Sequence, residues 1–435
     1  MFNIVMQGTV WGTAFCVMLM NKLIKIVEDN PNLLYFYKGK VPVPPLEMVD
    51  DVLGIQKCGA TSVALNSTVN SFFEVEKMTL SQSKSHVIHV GKNLENCGDL
   101  KVHKNKIDQS KKEKYLGDVI DETGKIRANI ITRKAKGYGI VGQVVAIAEE
   151  APLGRWRMKC SMLMRNAMFV NSVLFNAEAW QGIVKDDTEQ LRRVDDSLFC
   201  QLLSAHSKTP IEAYFLETGQ TPLKFIWISR RLLYLQNILK RNVTETTRRI
   251  YEAQKVDTKK GDFFQLIQED AQTIDIIINE TEIACMTKYE YKKIVQEKVK
   301  SAAFKNFKKL QQTNSKIKYF SYTHFQMQPY MSDQYMDSDD ISLLFALRTK
   351  CVRGIRTDFS GMYADTKCPL CLSHEDSLSA LLICEHLKHV ARNGFKYSDI
   401  FSQIVHHQRM AMLQHRALLQ EREHILEDRA AAEEE

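Results

Sequence analysis

The 435 residues carry a formal net charge of +7, with 44% hydrophobic and 26% charged side chains. That length supports several structural units and a sizeable core, and the balance excludes a disordered, fibrous or small disulfide-scaffold protein. The mild basic excess by itself only hints at an anionic partner, and the ten scattered Cys, mostly in apolar contexts as at Cys16, Cys160 and Cys200, point to reduced thiols inside the cell.

Met1 to Leu23 is apolar, lacks a basic flank and holds Gln7, Gly8 and Gly12. It reads as a loop entering a helix, not as a signal peptide. No later run reaches about 18 apolar residues, so no membrane-crossing helix is expected. Gly39, Pro42, Pro44 and Pro45 break any element across 39–45. Leu46-Glu47-Met48-Val49-Asp50-Asp51-Val52-Leu53 then sets apolar runs around two adjacent carboxylates, the pattern of a hairpin with the acids at its tip. A helix is expected over 61–79, a strand over Val87 to Val90, a polar Lys-rich loop over 101–114 and a further strand over Tyr115 to Ile120.

From about residue 126 the pattern changes. Amphipathic stretches at 126–150, 155–180, 185–204, 221–241 and 262–310 predict a mostly helical unit, with Gly137 and Gly139 between two helices. Trp180 and Trp227 fall in helical stripes and are expected in the core, while Arg155, Arg157, Lys134, Lys136, Arg230 and Arg231 suit phosphate contacts. Between Lys288 and Lys318 there are ten Lys and two Glu, a block that marks either a nucleic-acid contact or a solvated helix face. A cysteine-bearing element spans 364–389, and 407–435 has the composition of a solvated terminal helix.

Two constellations carry chemistry. Asp50 and Asp51 are paired carboxylates in an apolar strand-like run, the kind of pair that holds Mg²⁺ through oxygen ligands. Cys368-Pro369-Leu370-Cys371, with Cys384 downstream, presents thiolates at zinc-ligand spacing.

Gln7-Gly8-Thr9-Val10-Trp11-Gly12, Met48-Val49-Asp50-Asp51, Lys84 within Ser83-Lys84-Ser85-His86-Val87, and Tyr115-Leu116-Gly117 follow in order. Together they resemble the palm of a non-LTR (LINE-type) retrotransposon reverse transcriptase. The likeness continues through Arg165-Asn166-Ala167-Met168-Phe169 to Trp180, through Thr209-Pro210, Glu217-Thr218-Gly219 and Ser229-Arg230-Arg231, and covers roughly residues 4–385. It implies an α+β fold. A partial palm at 1–125, a short antiparallel sheet with helices, precedes a helical thumb and connector at 126–250. A basic helical region at 251–363, a zinc-knuckle-like element at 364–389 and a helical tail at 390–435 complete the chain.

The resemblance further implies an RNA-directed DNA polymerase, with Asp50 and Asp51 catalytic on Mg²⁺, Gln7, Gly8 and Lys84 contacting template or nucleotide, and Tyr115, Leu116 and Gly117 as primer grip. Its partners would be an RNA template with a DNA primer, or an RNA–DNA hybrid, and not a membrane; its location would be intracellular and nuclear. The family's third carboxylate lies on a strand ahead of the Gln-Gly motif, so the 435-residue chain alone is expected to be an inactive, truncated piece. The alternative is a retrotransposon-derived protein that binds RNA or RNA–DNA without chemistry. In the cysteine element the family's His aligns with Ala380, which leaves Zn²⁺ on Cys368, Cys371 and Cys384 without its fourth ligand unless His374 or His386 replaces it.

Overall fold

The computed structural model describes residues 10–48, 51–91, 99–102, 104–150, 154–318, 320, 326–358, 365–391, 395–402 and 405–434. Helix α1 (Val10–Glu28) leads into two short antiparallel ribbons, β1 (Tyr35–Tyr37) with β2 (Val41–Val43) and β3 (Leu46–Met48) with β4 (Asp51–Leu53). Helix α2 (Gly59–Val75) follows. Met20, Leu23 and Val27 of α1 and Leu65, Phe72 and Phe73 of α2 recur at helical spacing and close a small core of their own.

Beyond α2, β5 (His86–Val87) pairs in parallel with β8 (Asp108–Gln109). β6 (Lys101–Val102) pairs with β7 (Asn105–Lys106), and β9 (Lys112–Tyr115) with β10 (Asp118–Asp121). Among the described residues the strands form separate two-stranded pairs. The stretch 101–114, expected as loop, is therefore mostly strand. Val102 and Ile107 are buried while the lysines stay exposed, an alternation diluted by the charge of the segment.

The rest of the described chain is mainly helical, which makes the molecule α+β with helix predominating. α3 (Arg127–Glu149), α4 (Gly154–Met164), a π-type turn at Arg165–Phe169 and α5 (Val170–Val173) come first, then α6 (Lys185–Leu202), α7 (Ile211–Thr218) and α8 (Leu223–Lys240). Gly137 lies inside α3, not between helices. A Cβ there would stand 3.0 Å from both Val173 and Val194, so glycine is what lets α3 press against α5 and α6. Trp180 and Trp227 meet edge to face at 5.3 Å in the core, as their spacing predicts.

α9 (Thr246–Val256) is followed by α10 (Phe263–Thr273), α11 (Glu280–Cys285) and α12 (Lys288–Thr313), so the stretch 262–310 is three helices. Asp275 takes a left-handed φ of 56° and Ile276 N–H caps Ala271 O, which ends α10. α13 (Ser338–Arg348) and α14 (Val405–Glu434) complete the fold.

α14 is not the solvated helix its composition suggests. Ala411, Met412, His415, Leu418 and Arg422 are buried, and Arg422 Nη2 donates to Asp376 Oδ2 at 2.7 Å. Its inward face uses His, Gln and Arg as well as apolar residues, which hides the stripe from a hydrophobicity reading. No described helix is long and apolar enough to cross a membrane.

Candidate functional site

The β3–β4 ladder pairs Met48 with Asp51, which puts Asp51, one of the two acids singled out in the sequence, at the end of the ladder. Asp51 is exposed at the mouth of β4, whereas Asp50, like Gln7 and Gly8, lies outside the described residues. Glu47, one position back on β3, has a carboxyl that burial pushes above its usual range, and its Oε1 has no hydrogen-bond partner.

Tyr115 stands beside this hairpin. Its Oη donates to Leu46 O at 3.4 Å, and burial, then the charges of Asp51 and Glu47, raise its pKa. The fold thus brings the Tyr115-Leu116-Gly117 segment to the Asp51 hairpin across 69 residues of chain. Leu116 and Gly117 form the two-residue loop between β9 and β10, with φ of 47° and 89°. That is the primed turn a tight hairpin needs, but leucine is strained in the left-handed region. A Cβ on residue 117 would meet the Phe175 ring at 3.0 Å, so glycine is required by space as well as by φ.

The turn is bolted to the helical body through Asp118. Asn129 Nδ2 and Arg133 Nη2 donate to its Oδ1 at 2.7 and 3.0 Å, and Asn176 Nδ2 to its Oδ2 at 2.8 Å. Arg133 Nη2 also donates to Gly117 O at 2.7 Å, and its guanidinium stacks 4.8 Å from the Phe175 ring. Neither Asp118 nor Glu47 stands out in the sequence. Asp118 follows a recognisable Tyr-Leu-Gly, but its partners are spread over helices as far as residue 176, and no local spacing reveals them.

Lys84 is exposed on the short 3-10 turn Gln82–Lys84, and among the described residues no hydrogen bond or ion pair ties it to the Asp51 hairpin. Arg231 is buried against Asp270 at 2.9 Å and over the Trp227 ring, so it is unavailable to a phosphate. Arg230 bonds Leu174 O at 2.6 Å and Asn171 Oδ1 at 2.5 Å. Both side chains are engaged within the helical body, Arg231 by an ion pair and Arg230 by two hydrogen bonds.

The second site is the cysteine element. Cys368, Cys371 and Cys384 bring their Sγ atoms within 4.8 Å of one another, with Cys368 and Cys384 buried. Cys368 N–H donates to His374 O at 2.7 Å and Leu372 N–H to Cys368 O at 2.9 Å, which folds the Cys-Pro-Leu-Cys turn, with Leu372 at φ 54°. Burial works against ionisation of Cys371, but the Ser373 and His374 N–H groups and the two neighbouring thiols hold its pKa below the usual thiol value. Cys384 is pushed up to about 11 by burial and by Cys368.

Three thiols this close cannot all ionise without a cation between them, and their softness suits zinc or another thiophilic ion. Among the described residues this is the only group of three or more His, Cys, Asp or Glu close enough to share a metal. The rings of His374 and His386 are not among the clustered donors, and Ala380 offers no donor. His374 and His386 act instead through their main chain, each turning its N–H to a thiol.

Compared with known proteins, the chain matches no family model, no curated protein and no solved structure.

Proposed function

We propose that this chain forms part of an RNA-directed DNA polymerase of the non-LTR retrotransposon kind and holds a primer terminus between its two hairpins. The observation that carries this reading is the seating of Tyr115 on the Asp51 hairpin, through its bond to Leu46 O and the influence of Asp51 and Glu47 on its phenol. In this reading Asp51, with Asp50, presents carboxylate oxygens to the reacting end. Tyr115, Leu116 and Gly117 press on the primer strand, and Asp118 with Arg133 fixes that turn against α3. Mg²⁺, when bound by Asp50 and Asp51, would neutralise the charge that develops on the attacking and leaving oxygens. The exposed carboxylate of Asp51 and the partnerless Oε1 of Glu47 are hard oxygen donors compatible with that ion. Zinc on the three thiols would tie the Cys368–Cys371 turn to the segment at Cys384.

The test is binding of a recessed RNA–DNA template–primer by the 435-residue chain, followed by fluorescence anisotropy over a salt series. The expected result is a steep fall of affinity with salt, and about a tenfold or larger loss in Tyr115→Ala, since a stacked or packed ring contributes about 1–3 kcal/mol. Equal affinity for blunt duplex DNA, or no loss in Tyr115→Ala, would count against the reading.

A second reading has its own support. Among the described residues no group of three close metal-ligating side chains includes Asp51, and the three-thiol cluster contains no histidine. A binding protein without chemistry would keep the hybrid affinity unchanged when Mg²⁺ is replaced by Na⁺ at equal ionic strength, whereas a polymerase site would tighten on the primer terminus with Mg²⁺.

A further inference from the structure

The lysines of α12 are arranged by the helix itself. Tyr291, Val295, Val299, Ala303 and Phe307 recur every fourth residue and are buried, so one row of the helix faces the core against α7 and α8. The adjacent i, i+4 row runs through Lys288, Lys292, Gln296, Lys300, Phe304 and Lys308. Lys288, Lys292 and Lys300 are exposed, and the Lys308 ammonium stands 5.4 Å over the Phe304 ring. Members of such a row are about 6 Å apart along the axis.

The row opposite the core begins with Tyr289, which is 76% exposed, and continues through the exposed Lys293, Glu297, Ser301, Lys305 and Lys309, three cations to one acid. Lys298 is engaged with Asp275 O at 2.9 Å. Among the described residues the other lysines of α12 have no carboxylate partner.

We infer that the two outer rows of α12 are a binding surface for single-stranded RNA, with the lysines on the phosphates and Tyr289 stacking on a base. Cations alone would suit any polyanion. The aromatic ring standing out among them is what a strand with unstacked bases uses, because every base presents a π-face. An anionic membrane fits less well, since the apolar row is already buried in the core and the outer rows offer only the rings of Tyr289 and Phe304 to insert. The surface goes beyond the hairpins' role, because it needs neither a base-paired primer nor a metal.

The experiment uses the full chain and a fluorescently labelled oligouridylate, with anisotropy titrations over a salt series. Lys292→Glu/Lys300→Glu/Lys308→Glu is expected to weaken binding at least about tenfold and to flatten the dependence of log affinity on log salt by about 2, the share of three phosphate contacts on a single strand. Tyr289→Ala, at a site too exposed to affect folding, is expected to weaken binding severalfold and leave the salt slope unchanged. Tyr115→Ala is expected to leave oligouridylate binding intact, so failure of the hairpin reading and failure of this one are told apart. Wild-type affinity in both α12 variants would overturn the inference. So would displacement of the RNA by polyglutamate at equal charge concentration, which would assign the surface to an acidic protein, or stronger binding to phosphatidylserine vesicles than to RNA.

Discussion

Residues 35–121 form their ladders in two-stranded pairs near the surface, while residues 127–434 bury their polar contacts under packed helices. Two-stranded ribbons are marginal on their own. The β9–β10 hairpin keeps its place because Asp118 is gripped by three side chains of the helical body. The helical body carries its own strong points. Arg165 and Asp195 form a fully buried pair at 2.5 Å, and Arg348 meets Glu217 at 2.7 Å, ringed by Phe320, Tyr330 and Phe401. A scaffold held in this way can carry a strained, adjustable hairpin at its edge without losing its fold.

The contrast predicts where substitutions are felt. The largest effect falls in the body: Arg348→Ala removes the guanidinium that pairs with the buried Glu217 carboxylate, and urea unfolding should show a loss of about 3–5 kcal/mol. A loss under about 1 kcal/mol would mean that water reaches the pair. Metal comes next. If the three thiols hold zinc, purified protein contains one equivalent per chain, and a free-zinc level a hundredfold over Kd adds about 2.7 kcal/mol of stability that a chelator removes. Metal content unchanged in Cys368→Ser would exclude this site.

In the ribbons the effect is smaller and local. Asp118→Ala should cost about 1–3 kcal/mol, read as faster amide exchange over 112–121 with the amides of α8 still protected. Uniform acceleration across the chain would show that the two regions unfold as one.

The smallest effect is a pH dependence. Burial raises the Asp358 pKa to about 6, although Val352 N–H donates to it at 3.2 Å. A carboxyl with a raised folded pKa favours the native state at low pH, and that contribution is lost as pH rises through about 6. Asp358→Asn should therefore flatten the decline in stability between about pH 4 and 7. An unchanged pH profile would show that Asp358 is better solvated than its burial implies.

The same contrast explains what could be read from the chain. The helices of the body announce themselves through apolar residues at 3.6 spacing, and the Asp51 hairpin through apolar runs on both sides of an acid pair. The break at Asp275 carries no Gly or Pro, so the division of 262–310 stays hidden. Gly137 looks like punctuation until the neighbouring helices are in place. Arg230 and Arg231 look like phosphate ligands because sequence shows charge and not burial. The Tyr115 turn was legible as a motif, but its attachment through Asp118 depends on partners in α3 and after α5 that only the fold assembles.

The central claim is that the Asp51 and Tyr115 hairpins hold a primer terminus beside a carboxylate-bound metal. Fe²⁺ substituted for Mg²⁺, with ascorbate and peroxide, generates radicals at the metal and cuts whatever lies beside it. The account predicts cleavage of a bound RNA–DNA template–primer close to the primer 3′ end, abolished in Asp51→Ala while hybrid binding persists. Cleavage spread evenly along the hybrid, or a 3′-end cut that survives Asp51→Ala, would contradict it.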